Sequence, residues 1–403
     1  MQNIVIAKPY RFVPPYRKLR WVRFLTWWVP RTARKSWGVE WPTFRGLEHL
    51  RASLAAGHSV ILAPNHCRPC DPIVVGLTCI PVQTPCYIMA SWHLFMQGRI
   101  QRFLMRRAGA FSVYREGVDR ESIRTAIDAI VEGDRLLILF AEGMVRRAND
   151  ELGDLMDGTA FIARSAAKQR ARSGARGGVV IHPVVLRYTF PGDLRAAVEP
   201  VLSRLEQRFS WQPQRSVPLL DRVRKLDGAF LAVKEVEYLG AAQTGSTAER
   251  VARLTDAVLQ PLEQTYLNGK SDPAPMERVK KLRAAILPAL IPGDLPAGET
   301  QRRWRHLADC YFAQQLASYP AGYLDGQPTV ERILESVERL EEDLTDVATI
   351  HRPMHCQIEV GPAIPVEPER PRGEDPLMAE LRAGLQRLIA SSAALCRPWK
   401  EAG

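Results

Sequence analysis

An imidazole and a carboxylate lie five residues apart in Asn65-His66-Cys67-Arg68-Pro69-Cys70-Asp71-Pro72, directly after the apolar run SVILAP at 59–64. Such a pair can act as a general base. On a regular helix an offset of five turns about 140°, so the two side chains would not share a face. Pro69 argues instead for a turn that folds the carboxylate back onto one ring nitrogen. The carboxylate then fixes the tautomer and stabilises the imidazolium, and the other nitrogen is left to take a hydroxyl proton. Help of this kind is worth roughly 10²–10⁴ in rate. The chain has eight histidines, so the spacing alone is weak evidence. A turn histidine satisfying backbone groups is the plain alternative.

Further charged residues stand where apolar runs end. GAFSVY (109–114) is followed by Arg115, and arginine suits bidentate contact with phosphate. RLLILFA (135–141) is followed by Glu142 and Gly143, where a carboxylate can bind a substrate hydroxyl or orient an arginine. Arg146 and Arg147 extend a positive rim. Gly158-Thr159 opens a predicted helix whose N-terminus can hold an anion. His182-Pro183-Val184 lies inside a further apolar run, VVIHPVVLRY (179–188). Each has an ordinary counterpart: a surface arginine, a strand-end cap, a solvated charge.

Cys67-Arg68-Pro69-Cys70 is a C-x-x-C beside His66, but no second such pair accompanies it, so no metal is expected. Its cysteines read as small wall residues. His351 and His355 are four apart, with Pro353 breaking any helix between them; they read as a loop.

The elements that must position these groups alternate. Short β-rich runs at 59–64, 85–90, 109–114, 135–141 and 179–188 are separated by helical stretches. Ile123, Ala126, Ile127, Ile130 and Val131 make one helix face, and Gly133 is placed to end it. This predicts an α/β fold, a mixed central sheet flanked by helices. Residues 191–350 turn helical, with long amphipathic segments at 247–267 and 329–349; in the second, Ile333, Val337, Leu340, Leu344 and Val347 form the stripe. HCQIEVG (355–361) restores β character before a last helix at 377–395. The expected division is an N-terminal region at 1–45, a core at 46–190, a helical insertion at 191–350, and a returning strand and helix at 351–403.

The chain has 403 residues and a formal charge of +11. Nine basic residues and no acidic one fall in residues 1–39, so most of the excess sits there. The same arm holds Trp21, Trp27, Trp28 and Trp37, and YRKLRWVRFLTWWV (16–29) reads as a helix. Tryptophan favours the headgroup level of a bilayer, and basic residues favour anionic lipid. An interfacial helix follows, with Arg17, Lys18, Arg20, Trp21, Arg23, Trp27 and Trp28 at the membrane surface. Packing on the chain's own core and single-strand nucleic-acid binding are the alternatives; because the charge is confined to the arm, no nucleic-acid partner is expected. Seven cysteines without framework spacing suggest a reducing compartment. No signal peptide and no spanning helix are expected, since there is neither an apolar h-region with a cleavage site nor a run of 18 apolar residues. The predicted location is the cytoplasmic face of a membrane, held peripherally.

The ordered set resembles the glycerolipid acyltransferases of the 1-acylglycerol-3-phosphate O-acyltransferase type. The matching blocks are His66 with Asp71, Phe111 to Arg115, Phe140-Ala141-Glu142-Gly143, and Pro183. Gly46-Leu47-Glu48 resembles the family's opening, and CQIEVGPAIPV (356–366) its closing strand. The resemblance implies that His66, oriented by Asp71, deprotonates an acceptor hydroxyl, which attacks an acyl thioester on coenzyme A or acyl carrier protein. It implies Arg115, Glu142, Gly143, Arg146, Arg147 and Gly158 as acceptor-binding positions, and 1-acylglycerol-3-phosphate as acceptor, giving phosphatidic acid. It implies no metal, no cofactor and no acyl-enzyme. This chain departs from the pattern at Ala141, where the family has proline, at Met144-Val145, where it has Thr-Arg, and at Met156-Asp157, where lysines are common. A different lipid acceptor, or a non-catalytic lipid-binding protein on the same fold, are the rival expectations.

Overall fold

The computed structural model describes residues 5–18, 21–318, 320, 322–369 and 375–400. The apolar runs become strands β1 (Thr43–Arg45), β2 (Ser59–Pro64), β3 (Cys86–Ser91), β4 (Ala110–Val113), β5 (Leu136–Ile138), β6 (Val179–Thr189), β7 (His355–Val360) and β8 (Ile364–Pro365). They form one mixed sheet in the order β1-β7-β6-β2-β5-β3-β4, with β8 also paired to β6. Strands β6, β2, β5, β3 and β4 run parallel, so their carboxyl ends share one edge, where open α/β sheets place their sites. Every residue of β2 is buried, as expected of a strand covered on both faces.

Strand β7 arrives after the helical segment and enters between β1 and β6, antiparallel to β6 and parallel to β1. Gly46 turns the chain out of β1 at φ 70°, and a Cβ there would fall against the Val360 carbonyl, which is why glycine opens this block. Proline in the middle of β6 is tolerated for a specific reason. Pro183 lies between the residues that pair with β8 (Val180, Ile181) and those that pair with β7 (from Val184). Its missing N–H falls in that gap, while its carbonyl accepts from Gly361 N at 2.8 Å.

Three boundaries differ from the sequence reading. The arm helix spans Val22–Trp37 rather than 16–29. Tyr16 N donates to Arg106 O, and Arg106 Nε donates to Pro14 O, both at 2.9 Å, which holds the backbone at 14–16 out of a helix. Gly38 closes it in the left-handed conformation, with Pro30 inside. Strand β5 stops at Ile138 because the chain turns, with Gly143 N donating to Phe140 O at 3.0 Å. The stripe at 329–349 is a helix only over Val330–Thr345, and Val347 lies beyond it, exposed.

That Val330–Thr345 helix, the clamp helix below, buries two faces. Its apolar face (Ile333, Leu334, Val337, Leu340) joins the core beneath β2 and β6. Glu331, Glu335, Glu338 and Glu342 recur at helical spacing along another face and meet the core loops. Glu331 accepts from Phe190 N at 3.1 Å, and Glu335 from Asn149 N at 3.2 Å and Tyr323 Oη at 2.5 Å. Glu338 pairs with Arg68 at 2.8 Å, and Glu342 with Arg147 at 2.6 Å. The helical segment is therefore bolted to the loop that carries His66.

Arg68 is buried, and burial alone would lower its pKa; the charges of Glu338 and Glu335 outweigh this and raise it. Removing one partner of a buried pair leaves an uncompensated charge, so Glu338→Ala should destabilise the fold by about 3–5 kcal/mol, read by chemical denaturation. Glu335 forms no ion pair among the described residues, and burial pushes its carboxyl up to about 7 from 4.5, against the pull of Arg68. With the folded pKa above the unfolded one, the folded state holds an extra proton between those values. Stability should therefore fall as pH rises from about 4.5 to about 7. Glu335→Gln should flatten that slope in melting curves taken across the window; an unchanged slope would assign it to other groups.

Candidate active site

The loop after β2 is folded by one carboxylate. Asp71 is fully buried and accepts three hydrogen bonds: from His66 Nδ1 and Arg68 N on Oδ2, at 2.9 and 2.8 Å, and from Tyr188 Oη on Oδ1, at 2.7 Å. The turn expected from Pro69 thus closes His66 onto Asp71. Asn65 anchors the strand end, its side chain bridging Leu186 N and O on β6 at 2.8 and 3.3 Å. The Phe140 ring lies 4.2 Å from the imidazole, centroid to centroid, and fixes its tilt. With Nδ1 engaged, Nε2 is the nitrogen left to act on a ligand in the cavity that His66 lines. This arrangement can accept a proton at Nε2 and carry the resulting charge against Asp71.

Glu142 stands at the neighbouring strand end, at the cavity wall, with both carboxylate oxygens engaged. Its Oε1 accepts from His66 N at 2.8 Å and its Oε2 from Gly153 N at 2.7 Å. Burial raises its pKa, opposed by those two hydrogen bonds. It braces the backbone of His66 and of Gly153. Gly143 takes φ 68° to make the turn, with Met156 packed where a side chain would sit. Arg147, expected on a positive rim, is already matched by Glu342 and, at 3.7 Å, by Glu338. Arg146 lines the cavity, and its Nε is buried with no hydrogen-bond partner; burial lowers its pKa against the pull of Glu142. Among the described residues it forms no ion pair, which leaves it available to an anion near His66. Gly158 opens the helix Gly158–Ser173 at the cavity wall, with Asp157 as the preceding residue.

Arg115 follows β4, which lies three strands from β2, or roughly 14 Å at about 4.8 Å per strand. It is open to the same cavity. The cavity measures about 2800 Å³ and runs from His66 past β3 and β4 to the helical segment. Ordinary small-molecule pockets hold about 300–1,000 Å³, so this is a trough for something larger. Pro69, Ile73, Ile80, Ile88 and Met105 give it an apolar wall, completed by Trp28 and Val29 of the arm helix.

Of the arm residues, Trp27 is 54 % and Phe24 39 % exposed, and Trp21 stacks edge-on against Phe103 of the helix Arg99–Arg107, itself 41 % exposed. Arg31 lies over the Trp27 ring and Arg107 over Phe103. Lys18 is exposed at the cavity rim, while Arg17 is paired with Glu132 at 2.5 Å. Arg20 lies outside the described residues, as does the side chain of Arg23. The first part of the arm packs on the core: Val13 N donates to Ser112 Oγ at 2.8 Å, and Tyr10 Oη reaches Ser112 Oγ at 3.0 Å. The alternative of an arm lying on its own domain therefore describes this stretch.

Cys67 and Cys70 are buried, and burial pushes both thiols up, Cys70 to about 12, so neither is poised as a thiolate. Among the described residues no three His, Cys, Asp or Glu side chains gather to hold a metal. His182 is tied to Ser53 Oγ at 2.9 Å and Gly361 O at 2.8 Å and has a structural part. Tyr188, Asn65 and Arg68 were missed as site residues. Tyr188 lies far along the chain in a strand, and only the register of β6 against β2 brings it to Asp71.

No helix among the described residues is long and apolar enough to cross a membrane. No curated protein matches the chain significantly. Residues 42–187, from the approach to β1 through most of β6, match the Acyltransferase family model, a likeness that supports acyl transfer in general as the chemistry of this region.

Proposed function

We propose that the protein moves a fatty acyl group from a thioester of coenzyme A or acyl carrier protein onto a lysolipid hydroxyl, with 1-acylglycerol-3-phosphate the leading acceptor. The observation that carries this reading is the 2.9 Å contact between His66 Nδ1 and a fully buried Asp71, at the wall of a large apolar trough. His66 Nε2 takes the proton of the acceptor hydroxyl as its oxygen attacks the thioester carbonyl. The tetrahedral adduct collapses: the new C–O bond stays, the C–S bond breaks, and the departing thiolate recovers the proton from His66. Asp71 stabilises the imidazolium throughout, and no acyl-enzyme is needed. Arg146 supplies positive charge for an acceptor headgroup. The Met144-Val145 departure and the engagement of Arg147 leave fewer cations near His66 than the family pattern has, which favours a lipid acceptor other than 1-acylglycerol-3-phosphate as the second reading.

Purified protein, incubated with long-chain acyl-CoA or acyl carrier protein and a panel of lysolipids, should release thiol only when its acceptor is present. His66→Ala should abolish this. Tyr188→Phe removes one hydrogen bond to the charged Asp71 and should lower kcat about tenfold with acceptor KM unchanged. If wild-type protein and His66→Ala give the same background with every acceptor while both still bind lipid, the protein is a binding protein and not a catalyst.

We also propose that the arm docks the enzyme peripherally on an anionic membrane, on the cytoplasmic face. The exposed aromatic and basic surface shared by the arm helix and the Arg99–Arg107 helix supports this. Replacing Phe24, Trp27 and Phe103 together by serine should release the protein from phosphatidylserine-containing vesicles in sedimentation, with its melting temperature retained. Undiminished sedimentation would return the arm to a purely structural part.

A further inference from the structure

The helix Pro275–Ile286, in the segment after the matched domain, brings a second group of cations to the same trough. Arg283 on this helix is only 7 % exposed and lines the cavity, yet its Nε and Nη2 are buried with no hydrogen-bond partner. An unpaired buried guanidinium is costly, and each such group needs an explanation. Its helix neighbours are satisfied. Arg278 is held by Glu263 at 2.7 Å and Asp256 at 2.5 Å, and Lys281 by Asp272 at 2.6 Å. Among the described residues no carboxylate forms an ion pair with Arg283.

The charged groups near it are Glu116, which pulls its pKa up against burial, and another arginine, Arg115. Tyr114, at the end of β4, packs against the hydrophobic cluster built by this helix and its neighbours (Leu254, Leu259, Leu282, Leu307), which brings Arg115 to the helix at the cavity wall. Although exposed to the cavity, Arg115 is partly desolvated by the surrounding walls, which lowers its pKa; the nearby charge of Arg283 lowers it further, against the pull of Glu116. No ion pair joins Glu116 to either arginine among the described residues. Two guanidiniums thus share one carboxylate that forms no ion pair with either, and the net positive charge left on this wall makes a site that an anion would complete.

The geometry points to a phosphate-binding station formed by Arg283 with Arg115 at the far end of the trough, so that the helical segment holds a phosphate of one substrate while the other end reacts at His66. The strand order sets Arg115 well away from His66, and Arg146 is the cation beside the base. The substrate assignment rests on the acyl-transfer reading above, whereas the existence of the anion site does not. The phosphate can belong to the headgroup of the acceptor or to the nucleotide of the acyl donor.

Binding to the full chain distinguishes these sources without turnover. Titration calorimetry would use glycerol 3-phosphate as the acceptor fragment, adenosine 3′,5′-bisphosphate as the donor fragment, and inorganic phosphate. Arg283→Gln should weaken binding about tenfold or more, the loss of a charge-assisted contact. Arg283→Lys, a point charge without the fork, should recover part of it, and Lys281→Gln should change nothing. A loss confined to the bisphosphate assigns the donor, one confined to glycerol 3-phosphate assigns the acceptor, and an equal loss for all three supports a general phosphate station. His66→Ala should bind as wild type does, so an inactive enzyme would not count against the station. Should Arg283→Gln fail to fold, phenylglyoxal modification of Arg283 in the unaltered chain, followed by mass spectrometry, should slow severalfold with the same probes. Unchanged affinity in a folded Arg283→Gln, no binding of any probe by wild type, or no protection from phenylglyoxal would overturn the proposal.

Discussion

A carboxylate with no access to water must have its partners supplied by the fold, and Asp71 is the clearest case here. Its three donors come from a turn, a backbone amide two positions past the imidazole, and a tyrosine on the longest strand. To deliver Tyr188, β6 must run parallel to β2 in the observed register and continue beyond it. That extension in turn needs β7 at its other edge. The catalytic geometry is therefore a property of the whole sheet and not of the His66 loop alone.

The second constraint is charge inside the fold. Arg68 and Arg147 stand in the site loops, yet their counterions come from a helix some 190 residues or more further along the chain. The acidic face of the clamp helix is thus part of the site's support. This explains how a helical segment outside the matched domain can control the rigidity of the base, and why its glutamates are buried as thoroughly as its leucines.

The fold was legible where periodicity is strong. SVILAP is β2, and residues 247–267 form one helix with the expected ends, because Ser246 and Glu249 make a capping box and Asn268 takes the left-handed conformation. The helix after Asp119 runs Arg120–Glu132 and closes at Gly133. Legibility failed where tertiary contacts override local preference. The arm helix starts late because Arg106 holds the preceding backbone. Glu142 and Arg147 have side chains suited to substrate, but which partner a charged group finds depends on elements far away in the chain. The pairing of His66 with Asp71 could be anticipated because both lie in one turn. Tyr188 and Arg283 could not, since no spacing rule connects them to it.

The placement of β7 has a consequence for synthesis of the chain. Strand β6 is complete at Thr189, but the strand that covers its edge begins at His355. At about 5–20 residues per second, the ribosome takes on the order of 10–30 s to cover that interval. During this time the longest strand of the sheet presents an unpaired, apolar edge, the kind of surface that recruits other strands. The helices made meanwhile, including the cluster around Leu259 and Leu282, can gather among themselves but do not cover that edge, so the order of the sequence sets a waiting period for the nascent protein that the finished sheet conceals.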